Sequence, residues 1–216
     1  MLATSDIESI RPETFSHARP DSFNDETLWN SFKKGNELAL SMLYKKHVQA
    51  LYNYGRHTSK DHDLVLDSIQ ELFSRLWIKR ETLASVNSVK LYLFKSFRRT
   101  LLRHIIAKRK LFVPLTDQLA AFEFIPSFEY AMIEGEYKAD QLKRLKACIQ
   151  SLTKTQREVV FLKFFNELSY VEISEIMEMR VESVYNLVSK TIELLRKKLL
   201  STNLIISVLS LIMPLL

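Results

Sequence analysis

Between Asp61 and Lys79 the apolar side chains Val65, Ile69, Leu72, Phe73 and Leu76 fall at steps of three and four residues. A helix can bury that period on one face, whereas a strand, with its period of two, cannot. The same period runs through residues 27 to 57, where Leu40, Leu43, Tyr44, Val48, Leu51 and Tyr52 form one stripe. It continues from about Ser88 to Lys110 and returns from Glu134 to Leu199. Alternation of the strand type is not sustained over any convincing length. Pro114 and Pro126, with no clear period between them, mark residues 111 to 130 as a connection. The expected fold is all-α: two small helical domains joined by a flexible linker, and 216 residues suffice to give each a core. The corresponding division is an extension over 1 to 26, a first domain over 27 to 110, a linker over 111 to 139, a second domain over 140 to 199 and a hydrophobic tail over 200 to 216.

Several functions are disfavoured before any motif is read. The three glycines, Gly35, Gly55 and Gly135, lie too far apart to write a phosphate-cradling loop or a dinucleotide fingerprint. A single Cys148 excludes an intrachain disulfide and a cysteine-rich zinc site, and the five histidines lack ligand spacing, so neither a metal nor another cofactor is expected. The N-terminal stretch "MLATSDIESIRPE" carries acids and no apolar core of signal-peptide length, which gives the expectation of a cytoplasmic protein. An enzyme is the least supported reading.

The net charge of +6 is unevenly spread. Residues 79 to 110 hold ten basic side chains against one acidic, more than the whole excess, and this concentration points to a polyanion-binding surface. Within that segment, "KLYLFKSFRRTLLRHIIAKRK" interleaves Tyr92, Phe94 and Phe97 with Lys90, Lys95, Arg98, Arg99 and Arg103. Lys95, Arg99 and Arg103 form an i, i+4 ladder, and like charges at that spacing repel by about a few tenths of a kcal/mol per pair. An anion lying against the helix would offset this. Aromatics beside guanidinium groups suit a single nucleic-acid strand. The bland reading is a basic solvated helix with Phe94 and Phe97 partly turned inward.

Two further surfaces stand out. In "DSIQELFSRLW", Asp67, Gln70, Glu71 and Ser74 share the face opposite the apolar stripe, either as a solvated face or as a docking patch. In "SYVEISEIMEMRVESVYNLVSKTIELLRKKL", Ser169 followed by Glu172 forms a capping box that starts a helix with Ile173, Ile176 and Met177 inward. After "EMR" a second helix begins near Val181. Its stripe of Val184, Leu187, Val188, Ile192 and Leu195 leaves Glu182, Ser183, Tyr185, Asn186, Ser189 and Lys190 outward, where a helix-turn-helix carries its base-reading side chains. Spacing alone fits a plain helical hairpin equally well.

Taken together, these residues resemble the extracytoplasmic-function sigma factors, small two-domain members of the sigma-70 family. "DSIQELFSRLW" is similar to the family's region 2 helix, usually D-L-V-Q-E-V-F-x-x-L-W, and "LTKTQREVVFLKFFNELSYVEISEIMEMRVESVYNLVSKTIELLRKKL" is similar to region 4 throughout. The resemblance covers roughly residues 27 to 110 and 140 to 199. It implies a sigma factor that performs no covalent chemistry and that binds core RNA polymerase and promoter DNA. Asp67, Gln70, Glu71 and Ser74, with Phe73 packed behind, would dock on the β′ clamp helices. Lys90, Tyr92, Lys95, Arg98, Arg99 and Arg103 would melt and hold the non-template strand of the minus-10 element. Arg180, Glu182, Ser183, Tyr185, Asn186, Ser189 and Lys190 would meet the minus-35 element, with the second domain near the β flap. The face of residues 158 to 168 would hold that domain together, and an anti-sigma factor, membrane-bound in some systems, would be a partner.

This chain departs from the pattern at Arg99, where the family usually has Asn, at Glu178, where it has Gly, and at Arg180, where it has a Ser cap. Tyr185, Leu187 and Ile192 stand at positions often basic, so fewer phosphate contacts are expected from the second domain. With the "YLF" segment and many lysines, the chain looks like the divergent sigma factors of Bacteroides-type bacteria. A rival reading is a LuxR-type helix-turn-helix regulator, whose domain also often begins "LT-x-x-E/Q-R-E-V" and which binds duplex DNA without polymerase. The tail "NLIISVLSLIMPLL" is uncharged and, counted from Leu199, reaches 18 residues, the short limit for crossing a bilayer. It reads as a helix folded on the protein or covered by a partner, as a membrane-associating segment, or as a disordered end.

Overall fold

The computed structural model describes residues 24–110 and 147–200, and the expectations for the extension up to residue 23, for the linker over 111 to 139, for residues 140 to 146 and for the tail beyond residue 200 lie outside those residues. The first domain consists of four helices: α1 (Asp25–Lys33), α2 (Glu37–Thr58), α3 (His62–Lys79) and, after a 3-10 turn at Arg80–Thr82, α4 (Val89–Lys110). The second has α5 (Lys154–Val160), which runs into one π turn at Phe161–Phe165, then α6 (Tyr170–Met177) and α7 (Val181–Leu200). Among the described residues there is no strand, and no helix is long and apolar enough to cross a membrane.

The continuous helix expected over residues 27 to 57 is two helices. Gly35 adopts φ +91°, a left-handed conformation that a side chain resists, and its N–H closes α1 on the Phe32 carbonyl at 2.9 Å. Asn36 then caps α2 by accepting the Ala39 N–H at 3.1 Å. The break lets α1 fold back across α2 and bury Leu28, Trp29 and Phe32, which a straight helix would leave in water. Trp29 seats its indole N–H on the Ala84 carbonyl at 3.4 Å. Gly55 serves a different purpose: a Cβ there would lie 2.6 Å from Val65 Cγ1 and 3.0 Å from Phe97 Cζ, so its bare backbone is what lets α2 approach α3 and α4.

The predicted stripes face the core, although Tyr44, Val48 and Tyr52 of α2 and Leu187, Ile192 and Leu195 of α7 are only half-buried, and Tyr54, outside the predicted stripe, is fully buried. Val65, Ile69, Leu72, Phe73 and Leu76 of α3 meet Leu93, Phe94, Phe97 and Leu101 of α4 and Leu43, Leu51 and Tyr54 of α2. In the second domain Val159, Val160, Leu162, Leu168, Ile173, Ile176, Val184 and Val188 close a smaller core. Capping boxes start both short helices, Thr153 with Gln156 on α5 and Ser169 with Glu172 on α6. The two cores form one contiguous buried cluster.

Candidate nucleic-acid interface

On α3, Asp67, Gln70 and Ser74 are exposed as a helical period requires, and Phe73 is buried behind them with its ring 4.9 Å from that of Tyr44. Glu71 differs from the other three. It is half-buried and holds α4: Arg103 donates to Oε1 and His104 shares a hydrogen bond with Oε2 at 2.7 Å, while Arg75 reaches Oε1 at 3.3 Å. Partial burial pushes the Glu71 carboxyl up, but the Arg103 and His104 hydrogen bonds outweigh it and keep it below the usual carboxylate range. Ser68, buried beneath, shares a hydrogen bond with the other His104 nitrogen at 2.9 Å. Glu71 thus ties α3 to α4 as well as bordering the exposed patch.

The basic helix α4 turns two of its three aromatics fully away from solvent. Phe94 and Phe97 are fully buried, and Tyr92 packs its ring 5.1 Å from that of Trp29. This corrects the expectation of an aromatic surface for Phe94 and Phe97, which fall on the faces that α4 must bury, because hydrophobic burial takes precedence; Tyr92 is half-buried and keeps part of its surface in solvent. What remains is a cationic face, and the second domain pairs with the part of it that runs from Lys90 to Arg99, whereas Arg103 pairs with Glu71 of α3. Lys95 pairs with Glu175 at 2.9 Å, Arg99 with Glu178 at 2.9 Å, and Lys90 donates to the Asn166 carbonyl. Ser88, just ahead of α4, donates to Glu172 at 2.8 Å.

The innermost contact joins three helices. Glu158 of α5 accepts from Arg98 Nε at 2.9 Å and from the Tyr54 hydroxyl at 2.5 Å. Tyr54 is wholly buried, and burial together with the Glu158 charge pushes its phenol well above the usual value, so it serves as a donor throughout the accessible range. Beside it, Phe161 of the π turn meets the Tyr54 ring at 6.3 Å and the His57 ring at 4.8 Å. The face of residues 158 to 168 therefore serves two purposes: most of it closes the second domain, and Phe161 docks that domain on the first.

In the second domain, Glu182, Ser183, Tyr185, Asn186, Ser189 and Lys190 are all exposed on α7, and Val184 and Val188 are buried. The turn before α7 places Glu178 at φ 55°, ψ 44°, in the left-handed region that favours glycine. Its side chain nevertheless takes the Arg99 guanidinium through Nε and Nη2. Two departures from the family pattern are therefore one contact. Arg180, ahead of α7, sits 3.6 Å from Glu182, and its carbonyl accepts the Val184 N–H at 3.1 Å. Residues not singled out in the sequence complete this face. Tyr170 stacks on Tyr185 with centroids 3.9 Å apart and planes at 25°, and Lys163 Nζ lies 4.7 Å over the Tyr170 ring. That Glu158 and Glu175, and Glu172 beyond its capping role, face the first domain was not legible, since a nearly neutral segment does not reveal that its acids share one face. Among the described residues no cluster of potential metal ligands occurs.

Family models match the chain in two places, sigma-70 region 2 over residues 43–111 and sigma-70 region 4 over residues 142–195. A curated relative, the extracytoplasmic-function RNA polymerase sigma factor SigM of Bacillus subtilis (strain 168), is 25% identical over 140 residues, which span 65% of this chain and 82% of the relative. Among solved structures the fold is similar to CnrH in complex with the cytosolic domain of CnrY (TM-score 0.54, 17% identity, 83% of this chain and 99% of that one). It is also similar to the sigma factor RpoE in complex with the anti-sigma factor NepR from Bartonella quintana (TM-score 0.54, 18% identity, 76% and 97%). The region 2 match overturns the LuxR-type reading, which has no use for the first domain. With both regions in order on two helical domains, the chain belongs to the sigma-70 family, in its extracytoplasmic-function group.

Proposed function

We propose that this sigma factor docks on the β′ clamp helices of core RNA polymerase through Asp67, Gln70 and Ser74, with Glu71 at the patch edge. It would hold the minus-10 region on the cationic face of α4 and read the minus-35 element through the outward face of α7. The observation that carries this reading is the separation of three exposed or exchangeable polar surfaces, one on each of α3, α4 and α7, in the order of regions 2 and 4. On α4 the side chains available to DNA are Lys90, Lys95, Arg98, Arg99 and Arg103, and each is engaged within the protein. Binding at α4 would therefore exchange the carboxylates of Glu71, Glu158, Glu175 and Glu178 for phosphates. Captured bases offset the cost of unstacking, so promoter opening would be driven by binding energy.

The solved relative named in complex with an anti-sigma factor, and the second one named with the cytosolic domain of a partner, support an anti-sigma factor as a further partner, acting in the cytoplasm. The uncharged tail would be a handle for such a partner at the membrane, and removal of residues 201 to 216 would then alter inhibition or membrane co-fractionation. The Bacteroides-type subgroup is part of the same reading and is supported by the "YLF" segment and the lysines.

The test mixes purified protein with bacterial core polymerase and scores co-elution and run-off transcription from upstream fragments of its own operon. Asp67→Ala/Gln70→Ala is the informative variant, because Glu71→Ala would also release Arg103 and His104. Wild type should co-elute and support initiation, and the variant should do neither. Equal co-elution of both would remove the α3 patch from the proposal.

A further inference from the structure

We propose that Tyr185 reads the C5-methyl group of one thymine in the upstream promoter element, and that Tyr170 and Lys163 are positioning residues that fix its ring for that contact. This rests on the promoter-binding reading above. Tyr185 lies in the N-terminal half of α7, on the face left open by the buried Val184 and Val188, and is 52% exposed. An aromatic ring on an open helix face ordinarily samples several rotamers. Here the ring is held: Tyr170, the first residue of α6 after the Ser169 cap, stacks on it at 3.9 Å. With one face of Tyr170 so occupied, the other is left for Lys163, whose ammonium sits 4.7 Å over the ring and also donates to the Leu168 carbonyl at 3.4 Å. The three side chains form a layered clamp from the π turn to the recognition helix.

The chemistry of the neighbours selects the ligand. Guanine is read best by Arg or Lys in bidentate fashion, but the exposed helix-face neighbours of Tyr185 are Glu182 three residues before it and Ser189 four after it, and Arg180 lies 3.6 Å from Glu182. With one face of the Tyr185 ring covered by Tyr170, what the residue offers the groove is mostly aromatic carbon. The apolar group on a base edge of the major groove is the thymine methyl.

The experiment uses holoenzyme assembled from the full chain and core polymerase to select duplexes from a library randomised over the upstream half of a promoter fragment. Each thymine of the selected sequence is then replaced singly by deoxyuridine, which removes only the methyl group. At one position the wild type should lose about fourfold in affinity, the worth of one buried methyl-sized group. Tyr185→Ala and Tyr170→Ala should bind the thymine and uracil duplexes equally, and Tyr170→Phe should restore the ratio. Tyr170→Leu keeps apolar bulk without a ring, and it should lose the ratio while keeping the wild-type urea midpoint. A flat uracil scan with wild type would overturn the thymine contact. A retained ratio in both Tyr170→Ala and Tyr170→Leu would overturn the positioning role. If holoenzyme selects no upstream sequence at all, the sigma-factor reading of α7 falls with it.

Discussion

Single residues carry the chain's departures from simple patterning, and His47 is the clearest case on the stability side. It is 5% exposed in α2 and shares a hydrogen bond with Asp25 at 2.9 Å, while Lys46 reaches the other Asp25 oxygen at 2.7 Å. Burial lowers the His47 pKa, and the Asp25 carboxylate only partly counters it. The unfolded chain therefore binds a proton that the folded one resists. His47 contributes stability above its ordinary value of 6.5 that is lost as the pH falls below it. Urea midpoints between pH 7.5 and 5 should fall for the wild type and fall less for His47→Gln, whereas parallel slopes would show that another group is responsible. Glu178 presents the opposite balance. Glycine would relieve its left-handed backbone but release Arg99, and the pair is exposed on both sides, so Glu178→Gly should leave the thermal midpoint of the chain unchanged or raised. A clear drop would mean that the ion pair outweighs the backbone strain.

At the scale of elements, the first domain depends on close approach and the second on caps. Replacing Gly55 by Ala puts a methyl into the junction of α2, α3 and α4 against Val65 and Phe97, both fixed in the core. Overpacking of this kind costs about 1–3 kcal/mol, and Gly55→Ala should shift the denaturation midpoint accordingly, although alanine favours helix. An unchanged midpoint would show that α2 can move aside. On α6, eight residues long, the capping box of Ser169 and Glu172 satisfies two backbone N–H groups. Ser169→Ala should lower stability by about 1 kcal/mol and raise amide exchange through α6 more than through α3. This box was legible from Ser169 and Glu172 alone, because a cap is local chemistry. The break at Gly35 was not, because an apolar stripe can continue in period across a turn, and what decides the turn is whether Trp29 and Phe32 have a core to enter.

At the scale of the molecule, the basic helix and the acids that cover it behave as one switchable contact. Lys95–Glu175 and Arg99–Glu178 are partly or fully exposed, so salt should weaken them, whereas Arg98–Glu158 with Tyr54 is largely enclosed. Fluorescence transfer between a dye on Cys148 and one placed on α3 should fall between about 0.05 and 0.5 M salt, a range over which the screening length shortens severalfold. It should fall at low salt in Glu175→Lys/Glu178→Lys, and adding Lys95→Glu/Arg99→Glu should restore it. Failure of the quadruple variant to recover would show that the apolar seat of Phe161, and not the charges, holds the domains together.

The sequence by itself determined that the chain is helical, where most helices begin, which stripes are buried and that one 32-residue segment wants an anion. These follow from period, caps and composition, which are properties of neighbours in the chain. The tertiary structure alone decided that the anion in the free protein is the second domain. Glu158, Glu172, Glu175 and Glu178 converge on α4 only when the π turn seats Phe161 beside Tyr54 and His57, and nothing in local spacing encodes that meeting. It likewise turned Phe94 and Phe97 inward and stacked Tyr170 on Tyr185, because which face of a helix is buried depends on what packs against it and not only on where its apolar residues lie.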